Sequence, residues 1–285
     1  MSGLSLIARP KVNLFLHVTG RRDDGYHLLE SLVIFPEGGD ELFVEAAAEI
    51  SLTVTGEFAG NTGPDEENLV LRTAKKLQEM AGVTAGAAIR LRKNLPVAAG
   101  LGGGSADAAA TFHLLQELWE CNFPDEDIFT AGLALGADVP ACLLGRPAIM
   151  SGIGEVLTPV PGFPALHVLL VNSGAKVPTG AVFSKLAHPF EPLKRPAFEE
   201  GIQAGRLISL LKQCRNDLET PACEVAPEIN EVLRLLSDTE GCRLSRMSGS
   251  GATCFGLYAS EEEAVVASQV IRARHPDWWV SPTIA

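Results

Sequence analysis

The segment Lys93-Asn-Leu-Pro-Val-Ala-Ala-Gly-Leu-Gly-Gly-Gly-Ser-Ala-Asp-Ala-Ala-Ala110 constrains this chain more than any other. The apolar run Ala87–Leu91 before it reads as a strand, and the stretch Asp107–Trp119 behind it reads as a helix. Between them Gly102, Gly103 and Gly104 remove every Cβ from the turn, so the backbone can approach a ligand closely and adopt positive φ. The first N–H groups of the following helix have no intrahelical partner. Together with the helix dipole they form an anion site suited to phosphate. Ser105 is placed to cap that helix or to offer its hydroxyl to a phosphate or a metal. A turn that merely packs a helix tightly on a sheet is the alternative. The strand–loop–helix setting and the small residues at 106 and 108–110 favour the anion site.

Two familiar phosphate loops do not fit these residues. A Walker loop needs Gly-Lys-Ser/Thr, and no lysine follows the glycines. A dinucleotide fingerprint needs G-x-G-x-x-G, and Ser105 stands where the third glycine belongs.

The chain has 285 residues, 46% of them hydrophobic, which is enough to bury a sizeable core. Three prolines in Thr158–Pro164 mark the best boundary, predicting domains over residues 1–160 and 161–285. Strands are predicted over 4–18, Leu28–Phe35, Asp40–Val44, Ile50–Thr55, Leu166–Val171 and Thr253–Tyr258. Helices are predicted over Asn68–Ala81 and Asp125–Leu135, and Arg234–Leu236 falls in another. Turns are predicted at Gly20–Gly25 and 61–65. Without a steady βαβ rhythm, the pattern is α+β and not a doubly wound sheet.

The formal charge is 23 − 35 = −12. An acidic surface disfavours nucleic acid and anionic membranes, and points to a small anionic ligand bound where positive groups and N–H donors gather locally. The six cysteines have no C-x-x-C spacing and read as reduced thiols. The N-terminal stretch lacks a basic n-region, and no apolar run reaches the ~18 residues a membrane span needs. The expectation is a soluble, cytoplasmic protein.

Pro96–Ala109 resembles the ATP-binding motif of the GHMP kinases, the group that includes galactokinase, homoserine kinase and mevalonate kinase. Pro10-Lys-Val-Asn-Leu-Phe-Leu-His17 is similar to the family's N-terminal motif, and Ser248-Gly-Ser-Gly-Ala-Thr-Cys-Phe255 to its C-terminal glycine motif. Asn13–His27 and Leu135–Pro140 resemble the members whose acceptor alcohol carries a cytidine diphosphate. The resemblance implies a two-domain fold, with an N-terminal ATP-binding α+β domain and a ferredoxin-like C-terminal domain. It also implies transfer of the ATP γ-phosphoryl to a small-molecule hydroxyl. Homoserine or mevalonate as acceptor, or a non-catalytic nucleotide-binding protein, are the competing readings. Many relatives carry Ser-Ser after the glycines, whereas this chain has Ser105-Ala106, so one hydroxyl is missing.

The ATP motif assigns nucleotide contacts to Pro96, Val97, Ala98, Ala99, Gly100, Leu101, Gly102, Gly103, Gly104, Ser105 and Ala106. Asn68 and Lys93 match positions near the nucleotide; a helix-capping asparagine and a solvated lysine are the plainer readings. Asp138 matches the family's catalytic aspartate, against the reading of an ordinary turn aspartate. Lys11, among apolar neighbours, is placed to neutralise the γ-phosphate and hold Asp138 ionised, against a snorkelling lysine. Asn13 shares its strand face and is a candidate substrate contact. By resemblance Tyr26 and His27 bind the cytosine, with Phe183 as the opposite wall and Thr179 nearby. A solvated turn pair and a core phenylalanine are the alternatives. Gly249, Ser250 and Gly251 are expected to close the site, unless they form only a glycine hairpin or bulge. Phosphoryl transfer implies Mg2+, and with no carboxylate cluster in the sequence the ion is expected to be held mainly by ATP.

Overall fold

The structure, a computed structural model, describes residues 3–61, 67–186, 190 and 194–285; the turn expected over 61–65 lies outside them from residue 62 on. In chain order the strands are β1 (Leu4–Ala8), β2 (Val12–Arg21), β3 (His27–Ile34), β4 (Asp40–Ala47), β5 (Ser51–Thr55), β6 (Gly86–Arg92), β7 (Ala148–Gly152), β8 (Val156–Pro159), β9 (His167–Asn172), β10 (Leu244–Met247), β11 (Cys254–Tyr258) and β12 (Trp279–Ile284). The helices are α1 (Leu69–Ala81), α2 (Gly103–Leu118), α3 (Asp125–Leu135), α4 (Val139–Leu144), α5 (Thr179–Ser184), α6 (Ala204–Leu211), α7 (Glu219–Val225), α8 (Glu228–Asp238) and α9 (Glu261–Arg274). The strand expected over 4–18 is two strands, broken at Arg9-Pro10-Lys11, where proline removes a ladder donor. The described residues form two units: Gly3–Pro10, Gly38–Val97 and Gly102–Gly145 in one, and Lys11–Glu37, Ala98–Leu101 and Arg146–Ala285 in the other.

The first unit holds a sheet in the order β1-β4-β6-β5, antiparallel except for the β5/β6 pair. α1 connects those two parallel strands. Its start is set by Asn68, whose Oδ1 accepts from Val70 N at 2.9 Å, and its end by Gly82 at φ 62°. Val70, Ala74 and Leu77 lie on one face of α1 and pack with Leu42, Val44, Ile89 and Leu91 of the sheet. Each large side chain buried there stabilises the unit by about 1.5–3 kcal/mol. α2 has no polar face through its middle: residues from Ala106 to Thr111, with Phe112, Leu114 and Leu115, are buried. It is a core helix whose N-terminus begins at the glycines.

The second unit contains the antiparallel sheet β2-β3-β7-β8 and the antiparallel sheet β10-β11-β9-β12. The latter follows the path β9–α8–β10–β11–α9–β12, with α5, α6 and α7 inserted between β9 and α8. Read from its other edge, the first, third and second strands of that path follow the fourth, the βαββαβ arrangement of ferredoxin-like folds. Ser260 caps α9, accepting from Glu263 N at 3.3 Å, with acids in the first turn and Arg272 and Arg274 in the last. The α+β expectation holds in both units.

Candidate active site

α2 begins at Gly103, four residues ahead of the expected start. Its cap is Gly102, in the left-handed region at φ 62°, which brings no side-chain acceptor. Ser105 therefore lies inside the first turn and does not cap the helix. The first bond of the ladder runs from Ala106 N to Gly102 O at 2.8 Å, leaving the N–H groups ahead of Ala106 outside it. A Cβ on Gly104 would meet only Leu69 Cδ1, at 3.6 Å, and one on Gly103 nothing nearer than 3.7 Å. The fold itself has no need of glycine at either position. Ala106 is 3% exposed, so position 106 gives its side chain to the core and not to the loop.

Lys93 is not a solvated lysine. Its ammonium is buried beside the head of α2, within hydrogen-bonding reach of Asp40 and 2.7 Å from Asp107 Oδ2. Asp40 Oδ1 also accepts from Asn94 N at 2.6 Å and Leu95 N at 2.9 Å, tying the strand-to-loop turn to β4. Asp107 Oδ1 has no such partner. Burial, opposed by Lys93 and reinforced by Asp40, pushes the Asp107 carboxyl up to about 7. Burial alone would lower the Lys93 ammonium, but the two carboxylates outweigh it and raise its pKa. One cation between two buried carboxylates thus favours a proton on the less satisfied one, and the cluster pins the loop's entry strand and α2 together.

The turn carrying Asp138 lies beside α2: a Cβ on Gly136 would sit 3.9 Å from Ser105 Oγ. Asp138 is half-buried at the N-cap position of α4 and makes no side-chain cap bond there; Pro140 stands two residues on, in the first turn.

Ala98–Leu101 belongs to the second unit, where the start of β2 and the loop 248–253 hold it. Lys11 N donates to Leu101 O at 2.8 Å, Ser248 Oγ to Gly100 O at 2.9 Å, and Thr253 N to Ala99 O at 3.0 Å. Gly100 stands at φ 75°, and a Cβ there would fall 2.3 Å from Ser248 O. Gly249 and Gly251 also have positive φ, 55° and 85°. The two glycine motifs therefore need glycine in order to meet. Lys11 and Asn13 do share a side of the chain, Lys11 Nζ lying 3.0 Å from Asn13 Oδ1. Lys11 is 4% exposed and Asn13 wholly buried, so Lys11 does not snorkel into solvent.

The 59%-exposed Tyr26 precedes His27, whose ring stacks on Phe183 with centroids 4.9 Å apart. Phe183 is half-buried beside the core, and Thr179 Oγ1 lies 2.9 Å from Ser250 Oγ. Several residues of this arrangement are not legible in the motifs. Asn216 Nδ2 donates to Met247 O at 2.9 Å and Gly249 O at 2.8 Å, fixing the C-terminal glycine loop. Ser31 and Ser248 flank Asn13. Asp40 and Asp107 hold Lys93. Of these, only Asp107 and Ser248 fall within the motifs described above.

Residues 68–146 match the model of the GHMP kinases N-terminal domain, and residues 197–277 that of the GHMP kinases C-terminal domain. A 4-diphosphocytidyl-2-C-methyl-D-erythritol kinase from Paramagnetospirillum magneticum is 50% identical over 99% of this chain and 98% of its own length. The chain belongs to the GHMP kinase family. Another kinase of the same name, from Parvibaculum lavamentivorans, is 48% identical over 100% of this chain and 99% of its own. A crystal structure titled 4-(cytidine 5'-diphospho)-2C-methyl-D-erythritol kinase superposes with a TM-score of 0.80 at 34% identity, covering 99% of each chain. As a GHMP kinase, the protein is an ATP-dependent small-molecule kinase. Among its described residues no helix is long and apolar enough to cross a membrane.

Proposed function

We propose that this GHMP kinase transfers the γ-phosphoryl of ATP to the 2-hydroxyl of 4-(cytidine 5'-diphospho)-2-C-methyl-D-erythritol, a step of isoprenoid biosynthesis. The observation that carries the donor side is the glycine segment: uncapped helix N–H groups at Gly103–Ser105, with glycines where the fold itself needs none. The near-half identity to kinases of that name supports the acceptor. The division into domains over 1–160 and 161–285 is part of the proposal, since the two family models fall on either side of residue 160.

In this reading Pro96–Ala106 follow the nucleotide phosphates, with Asn68 near the nucleoside and Lys93 acting from beneath the loop. Asp138 takes the proton of the acceptor hydroxyl. The freed oxygen attacks the γ-phosphorus, the bond to the β-phosphate oxygen breaks, and ADP leaves. Lys11 neutralises charge on the γ-phosphoryl oxygens, and Asn13 orients the acceptor. Tyr26 and Phe183 stack on the cytosine, His27 reads its polar edge, and Thr179, Gly249, Ser250 and Gly251 contact the acceptor. Among the described residues no group of three His, Cys, Asp or Glu side chains is placed to hold a metal. That donor set does not fit an all-protein magnesium site. It fits an ion brought on the ATP phosphates, with the Ser105 hydroxyl as the protein oxygen at the head of α2. Such an ion would neutralise the phosphate charge.

Asp138→Asn and Lys11→Met test the roles. Each is expected to lower kcat by at least about 100-fold with nucleotide binding retained, the loss seen when one group is removed from the transition state. Unchanged transfer in both variants would remove the mechanism.

A further inference from the structure

Asn13 is held on two sides by buried serines, and the hydrogen atoms in that network can be counted. Ser31 Oγ lies 2.5 Å from Phe15 O. A carbonyl only accepts, so the single hydroxyl proton of Ser31 goes there. Its lone pairs are then left to face the Asn13 amide, 2.8 Å away, and only the NH2 end of that amide can donate to them. The amide is thereby set with Oδ1 on its other side, 3.0 Å from the Lys11 ammonium. Turned by 180°, it would present NH2 to an ammonium and its oxygen to a hydroxyl with no proton to give. Ser248 repeats the bookkeeping on the backbone: it donates to Gly100 O at 2.9 Å and accepts from Asn13 N at 3.1 Å. Asn13, Ser31 and Ser248 are fully buried, so water does not compete for these bonds. The pairing register of β2 on β3 shifts between Asn13 and Phe15, opposite Val33 and Leu32, as expected where a strand re-aims a functional side chain.

From this count we infer that Ser31 is a positioning residue for phosphoryl transfer: it fixes the orientation of the Asn13 amide and, through it, the place of the Lys11 ammonium. The inference rests on the roles proposed above for Lys11 and Asn13. Ser31 makes no bond to the glycine segment among its described partners, so its effect belongs in kcat and not in ATP binding.

The test is a double-mutant cycle of Ser31→Ala and Asn13→Ala, read by steady-state ADP release with ATP and the cytidine-diphosphate alcohol. Ser31→Ala is expected to lower kcat about 10- to 100-fold, the scale of a misplacement near 1 Å, with the KM for ATP changed less than about threefold. In the Asn13→Ala background the same change is expected to cost less than about threefold, because the residue it acts through is gone. Ser31→Thr, which keeps the hydroxyl, is expected to recover most of kcat. An equal loss in both backgrounds overturns the inference, as does an unchanged kcat in Ser31→Ala while Lys11→Met is inactive. Unchanged kcat in both Lys11→Met and Asn13→Ala overturns the underlying roles and the inference with them. If Ser31→Ala does not fold, Ser31→Cys, with its weaker hydrogen-bonding group, is read in the same cycle by the same criteria.

Discussion

Gly104→Ala separates what the fold asks of the glycine loop from what a ligand asks of it. The new Cβ would meet only Leu69 Cδ1, at 3.6 Å, an ordinary contact. Gly104 lies within α2 and has no positive φ. Alanine is favoured over glycine in a helix by about 0.5–1 kcal/mol, so the variant is expected to be as stable as the parent or slightly more stable. A phosphate resting on the head of α2 meets a different situation, because the added methyl stands beside the N–H groups that would hold it. Losing one hydrogen bond to a charged group costs about 1.5–3 kcal/mol. At about 1.4 kcal/mol per decade that is roughly a 10- to 100-fold weaker grip on ATP. Urea unfolding gives the stability, and the KM for ATP together with direct nucleotide binding gives the affinity. A folded Gly104→Ala protein with unchanged ATP affinity would refute the placement of the phosphates at this helix.

Three further outcomes follow from other parts of the structure. Gly100→Ala should reverse the pattern and lose at least about 2 kcal/mol in urea unfolding, because φ is 75° and its Cβ would fall 2.3 Å from Ser248 O. Asp107, near 4 when unfolded and held up to about 7 in the fold, binds a proton in the native state between those values that the unfolded chain gives up. Its contribution to stability is therefore present at low pH and lost as pH rises. The stability difference between the parent and Asp107→Asn should fall by about 2–3 kcal/mol from pH 5 to pH 8. Taking the difference removes His17 and His113, which burial holds below their usual range and which lose stability in the opposite direction, as pH falls. A difference that stays flat or grows with pH would mean that Asp107 is ionised throughout. Tyr26→Ala should raise the KM for the cytidine substrate roughly tenfold, within the about 1–3 kcal/mol that a stacked base is worth, and leave the KM for ATP alone.

Elements with local signals were legible in the sequence. α1 has its cap at Asn68, its apolar spacing and its terminal Gly82 within fifteen residues, and the structure follows them. α3 runs over Asp125–Leu135, as its start and stop residues indicate. The sequence puts the start of α2 too late because glycine is a poor helix former by propensity, yet the chain turns helical at Gly103 once the core claims Ala106 and its neighbours. Short helices such as α4 and α5, six residues each, carry too little periodicity to read. The meeting of the two glycine motifs was visible only through resemblance, since Gly100 and Ser248 lie 148 residues apart. Lys93 shows why the rest was hidden. Its neighbours in sequence are polar and ordinary, and only the fold brings Asp40, 53 residues away, to its ammonium. Ser31 and Asn216 are equally plain in sequence. Their meaning lies in which atom each bonds, and that is a property of the folded chain.

Transfer of the ATP γ-phosphoryl to a hydroxyl of the cytidine-diphosphate alcohol is measured most directly by coupled ADP release across a panel of acceptors. With 4-(cytidine 5'-diphospho)-2-C-methyl-D-erythritol one ADP is expected per acceptor phosphorylated, with homoserine and mevalonate at least about 1,000-fold poorer in kcat/KM because neither carries the base that the proposed site hydrogen-bonds. Turnover of homoserine or mevalonate with none of the cytidine compound would contradict it.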